Sequence, residues 1–155
     1  MSAESRLKMA GYILPAPPVA GGNYLSAKRV GQTLYLAGVI STDDSGVMTG
    51  TVGAGRTLED GYLAAKACAL MQLAVIRREA GTLDAVESVL SVNGYVNAVA
   101  GFPDSPKVIN GASDLLVEIF GDAGRHVRAA VGVNALPRNA TVEIQMTVLL
   151  KQEES

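Results

Sequence analysis

The sequence predicts an α+β fold in which two helices pack on one face of a sheet, in the order ββ-α-β-α-ββ. Three observations predict it. Residues 57–80 and 105–120 repeat apolar side chains at helical spacing. The segments 24–30 and 33–40 are strand candidates, and 86–96 alternates at period two. So does the whole C-terminal stretch 126–150. At 155 residues and 48% apolar composition the chain suits one domain with a sizeable core. We read residues 1–22 as an N-terminal extension and 23–155 as that single domain.

Taken in order, Ser2 to Met9 can form a helical turn or two, and Pro15-Ala16-Pro17-Pro18 then enforces an extended path. Gly21-Gly22 is a flexible corner. Strands 24–30 and 33–40 are separated by Gly31-Gln32, a tight hairpin. Residues 42–56 are rich in Gly, Ser, Thr and Asp and read as a loop, with a short pairing segment at Val47-Met48. Thr57 caps the first long helix, with Asp60 three residues on, and Gly81 closes it. In the next strand Val86, Leu90, Val92 and Val96 form one row, and Val89 falls in the other. After a loop at 98–105, Ser105 caps the second helix with Pro106 at its first position, and Gly121 stops it.

Composition narrows the function. Charged residues are 18% and the net charge is -2, with no basic face for phosphates and no Trp for base stacking, so nucleic acid is an unfavoured partner. No apolar run reaches the roughly 20 residues a membrane span needs. Cys68 is the only cysteine; it lies in an apolar helical run and reads as a buried structural thiol in a reducing, cytoplasmic setting. Gly50-Thr51-Val52-Gly53-Ala54-Gly55 lacks the Lys-Ser/Thr of a phosphate loop. His126 is the only histidine, without the Cys or second His a metal site needs, so no metal site is expected.

The C-terminal stretch carries the chemistry. Two strands, 126–135 and 140–150, read as a hairpin around Leu136-Pro137-Arg138-Asn139, with Ala135 opposite Ala140, Gly132 opposite Glu143 and Arg128 opposite Thr147. In that register Val127, Ala129, Val131 and Val133 face one way. Arg128, Ala130 and Gly132 share the other face with Thr141, Glu143, Gln145 and Thr147. A guanidinium above a floor of Ala and Gly can hold a carboxylate. The residues alone leave two readings open: an ion pair of Arg128 with Glu143, or a carboxylate clamp in which Glu143 holds water or a substrate proton.

At these positions the chain resembles the Rid (YjgF) family of imine/enamine deaminases. The resemblance rests on Arg128-Ala129-Ala130-Val131-Gly132-Val133-Asn134-Ala135-Leu136-Pro137 and Val142-Glu143-Ile144. It extends through Gly22-Asn23-Tyr24-Leu25-Ser26, Tyr35-Leu36-Ala37-Gly38, Gly94-Tyr95-Val96-Asn97 and Val108-Ile109-Asn110. It implies a chorismate-mutase-like mixed sheet, a homotrimer, ligand clefts between subunits, and cofactor-free hydrolysis of 2-imino or enamine acids to 2-keto acids and ammonia. By the same resemblance Arg128 holds the substrate carboxylate and Glu143 activates water, while Tyr24, Asn110, Ala130 and the backbone of Gly38 line the cleft. Ala37 and Ala130 stand where the best-known deaminases carry Ser and Cys, which marks a divergent branch. A trimer that binds a small carboxylate without turning it over is the alternative. Ribonuclease activity fits poorly with an acidic chain and a single His.

Overall fold

The computed structural model describes residues 1–153. A six-stranded mixed sheet is its centre. The strands β1 (Ala27–Val30) and β2 (Thr33–Leu36) form the expected hairpin, closed at Gly31-Gln32 with Gly31 at φ 59. The chain then bends at Ala37-Gly38 into β3 (Val39–Ile40). Small pairings β4 (Thr42–Asp43) with β5 (Gly46–Val47), and β6 (Thr51–Val52) with β7 (Gly55–Arg56), shape the expected loop.

The helix α2 (Leu58–Ala80) starts as the sequence dictates. Thr57 Oγ accepts from the Asp60 amide at 3.0 Å, and Asp60 accepts from the Thr57 amide at 2.8 Å. Gly81 ends it in the left-handed region. The second long helix, α3 (Ser105–Phe120), begins one residue earlier than expected. Asp104 is its cap residue, without a side-chain hydrogen bond, and Ser105 is already helical and buried. Both helices lie on one sheet face, over a core that includes Leu73, Ile76, Ile109, Leu116, Ile144 and Met146. A shorter helix, α1 (Ala3–Met9), is capped by Ser2 and docks beside α3 through buried Leu7. Arg77 ties it down with two hydrogen bonds to Glu4, and the pair holds that carboxyl below its ordinary pKa.

Sheet order corrects the expected hairpin. Between β9 (Val127–Val133) and β10 (Val142–Leu150) lies β8 (Val86–Asn97), parallel to β9 and antiparallel to β10. The C-terminal strands therefore do not pair. The run β8-α3-β9 is a crossover unit, because a helix between two strands returns the chain to its starting end and makes them parallel. The rows change with it. Arg128, Ala130 and Gly132 sit in register with Val92, Gly94 and Val96, the row of β8 under the helices. The apolar row Val127, Ala129 and Val131 faces outward, with Val127 73% exposed. One further exchange occurs in β8: a register shift beside Val89 buries Val89 and exposes Leu90, the reverse of a strict alternation.

Candidate functional site

Two groups of the expected residues assemble, on opposite faces of the sheet. Glu143 is opposite Tyr95 and points to the face without helices, whereas Arg128 is opposite Val92 and points to the helix side. No ion pair and no shared polar row joins them within one chain, because three positions separate Val92 from Tyr95 along β8 and reverse the face.

The first group lines a cleft of about 650 Å³ that includes Tyr24, Ala37, Gly38, Thr42, Arg138 and Glu143. It is built on the bend between β2 and β3. Where the strand breaks, its carbonyls need new donors: Gln145 Nε2 donates to Leu36 O at 3.1 Å and Gln72 Nε2 to Ala37 O at 2.9 Å. Gln72, fully buried on α2, also donates to Ile144 O at 3.0 Å and so locks the bend to β10. The bend brings Gly38 against Glu143. A Cβ on Gly38 would lie 3.0 Å from the carboxylate, so a side chain there would crowd it. Half-burial raises the Glu143 pKa. The Tyr24 hydroxyl accepts from the Gly21 amide at 3.1 Å, which fixes the ring at the glycine corner.

The second group sits along the outer edge, between β9 and α3. Arg128 Nη1 donates to Asn110 Oδ1 at 2.8 Å and to Ser113 Oγ at 3.1 Å, and Nη2 donates to Pro106 O at 3.2 Å. Both hydrogens of Nη1 and one of Nη2 are thereby engaged. The Nε hydrogen and the second on Nη2 are left, enough for the two oxygens of one carboxylate. Asn110 thus steadies the arginine from α3, and Ala130 lies two residues along on the same face, partly packed on the core. Neither lines the cleft of Glu143.

The sequence reading missed three residues. Arg138 appears there only as part of a turn, yet it lines the cleft in the left-handed region at φ 54, an unusual conformation for a side chain of its size. Gln72 was legible as a lone amide within an apolar helical stripe, and Ser113 carried no signal. Cys68 is buried as expected, its thiol near the carbonyls of Val39 and Val142, and burial pushes its pKa up. No helix among the described residues is long and apolar enough to cross a membrane.

A family model described as "YjgF/chorismate_mutase-like, putative endoribonuclease" matches residues 4–150. The chain belongs to the YjgF/chorismate-mutase-like family. Protein TCP17 of Trypanosoma cruzi is 40% identical over 148 residues, covering 94% of this chain and 92% of that one. Among solved structures, Atu1372 of Agrobacterium tumefaciens, described as of unknown function, shares 37% identity with a TM-score of 0.86 over 96% of this chain and 91% of its own. A Shewanella oneidensis protein described as a "putative endoribonuclease" shares 32% identity with a TM-score of 0.93, covering 97% of this chain and 100% of its own. The YjgF-like match extends over α1 and the proline-rich segment as well as the sheet and both long helices.

Proposed function

We propose that the protein is a cofactor-free deaminase that hydrolyses 2-imino or enamine acids to 2-keto acids and ammonia, in clefts between the subunits of a homotrimer. The observation that carries this reading is the pair of half-sites: an arginine with one carboxylate-sized set of free donors, and a half-buried carboxylate in a cleft that Arg128 of the same chain does not line. A second copy that lays its β9 edge against the first chain's cleft brings them together.

The chemistry asks little of the protein. The substrate carboxylate takes the free Nε and Nη2 hydrogens of Arg128. A protonated imine is already electrophilic, so water adds to its C2 while Glu143 accepts the water's proton. Glu143 then returns that proton to the nitrogen of the tetrahedral adduct; the C2–N bond breaks, ammonia leaves, and the adduct's hydroxyl gives up its proton to Glu143 as the keto C=O forms. The raised pKa makes Glu143 a better base than an exposed carboxylate, provided that it is ionised when water attacks. Tyr24 and the Gly38 backbone shape the cleft around the substrate.

Pyruvate formation from 2-aminoacrylate generated in situ tests this. The wild type should accelerate it over buffer, and Arg128→Ala should lower kcat/KM by at least about 100-fold, the loss of two charge-assisted hydrogen bonds. No acceleration, or full activity in Arg128→Ala, would overturn the reading. Ala37 and Ala130, in place of Ser and Cys, favour one alternative: a trimer that binds a small carboxylate without turnover. That reading expects 2-oxobutanoate to raise Tm through Arg128 while turnover stays at background. Ribonuclease activity has little support, since the sole histidine is committed to bonds with Ser113 and a backbone carbonyl.

A further inference from the structure

We infer that Ser113 and His126 are positioning residues for Arg128, acting through a hydrogen-bond chain whose proton directions are set from both ends. This rests on the reading of Arg128 as a carboxylate clamp. His126 Nδ1 lies 2.7 Å from Gly124 O, His126 Nε2 lies 2.8 Å from Ser113 Oγ, and Arg128 Nη1 donates to that same Oγ at 3.1 Å. A carbonyl only accepts, so Nδ1 carries the imidazole hydrogen. A guanidinium only donates, so Ser113 receives on oxygen and gives its own hydrogen to Nε2. With a neutral ring, one arrangement of hydrogens satisfies every member.

The far anchor is closely packed. Gly124 closes the turn after α3 so tightly that a Cβ there would lie 2.2 Å from Leu116 O. The chain therefore ties Arg128, on an exposed sheet edge, to the backbone of α3 and its following turn. Arginine gives up considerable side-chain freedom when held in one geometry, and a pre-set fork spares the ligand that cost. Ser113 contributes the contact that Asn110 and Pro106 cannot replace, since each already accepts a different hydrogen. His126 keeps the Ser113 hydroxyl turned so that its oxygen faces the guanidinium.

A clamp on the non-reacting carboxylate is felt equally before and at the transition state, so its loosening shows in KM rather than kcat. Ser113→Ala and His126→Phe should each raise KM for the imine acid, and Kd for pyruvate by calorimetry, roughly 5- to 20-fold, with kcat within about twofold. Ser113→Thr restores the hydroxyl and His126→Gln restores an acceptor, so both should return close to wild type. His126 is the only histidine in the chain, so its ring-nitrogen NMR signals are unambiguous. At mildly alkaline pH they should report the Nδ1–H tautomer in the wild type.

An Nε2–H tautomer overturns the inference even if a variant fails to fold. So does wild-type KM and pyruvate affinity in Ser113→Ala and His126→Phe. If the wild type itself binds no pyruvate and turns over no imine, the clamp is wrong and the role of both residues falls with it. Wild-type binding with indifferent variants sinks the positioning role alone.

Discussion

The carboxyl of Glu143 lies half out of water against Gly38, and burial alone raises its pKa. The folded chain then holds that proton more tightly than the unfolded chain does. Its contribution to stability is full below the ordinary carboxylate value and is lost as pH rises through the raised one. The ionised form of Glu143 is therefore held at some expense to the fold. Glu143→Gln should raise Tm by roughly 1–3 °C at pH 7 and leave it unchanged below about pH 4, while lowering turnover at least about 100-fold. Thermal melts across pH 4–8 check the first part, and an equal Tm difference at both ends would contradict it. At this scale the sequence was a good guide to identity and a poor one to environment. Arg128 and Glu143 stood out because charged side chains interrupt strands of Ala, Val and Gly. What each one touches depends on neighbours distant in the chain, as with Ser113 beneath Arg128 and the Gln72 clamp behind Gly38.

Among the elements, the two long helices and the β1-β2 hairpin were legible because their signals are local. A capping box, a left-handed glycine and a two-residue turn each act within a few positions. The C-terminal strands were misread because strand pairing is not local. A short Leu-Pro turn between two alternating runs looks like a hairpin, yet the strand-helix-strand order from β8 to β9 required a parallel pair. The apolar row of β9 faces outward at the sheet edge, where it can serve a different surface. Close approach between helices was also hidden in single glycines. Gly111 sits where α3 crosses α2, and a Cβ there would lie 2.0 Å from Tyr62 O, which is backbone and cannot turn aside. Gly111→Ala should cost about 3 kcal/mol, or roughly 10 °C in Tm, despite the better helix propensity of Ala. A chemical denaturation curve equal to the wild type's would refute that packing argument.

At the scale of the whole molecule, the sheet has one face packed against helices and another with Val131 47% and Tyr35 50% exposed. These exposed side chains lie on the face that the proposed association of copies would cover. The family likeness could be read from ordered motifs along nearly the whole chain, whereas the placement of Arg128 and Glu143 on opposite faces could not, because it depends on which face each strand presents. That division has a genetic signature. If Arg128 of one copy serves Glu143 of the next, Arg128→Ala and Glu143→Gln are defects of different partners and not of the same catalytic unit. Unfolded together in equal amounts and refolded, two inactive preparations should recover about a quarter of wild-type activity, the share of random junctions that unite an intact arginine with an intact glutamate. Recovery near zero, with mixed assemblies present by native mass, would place both residues in the service of a single chain.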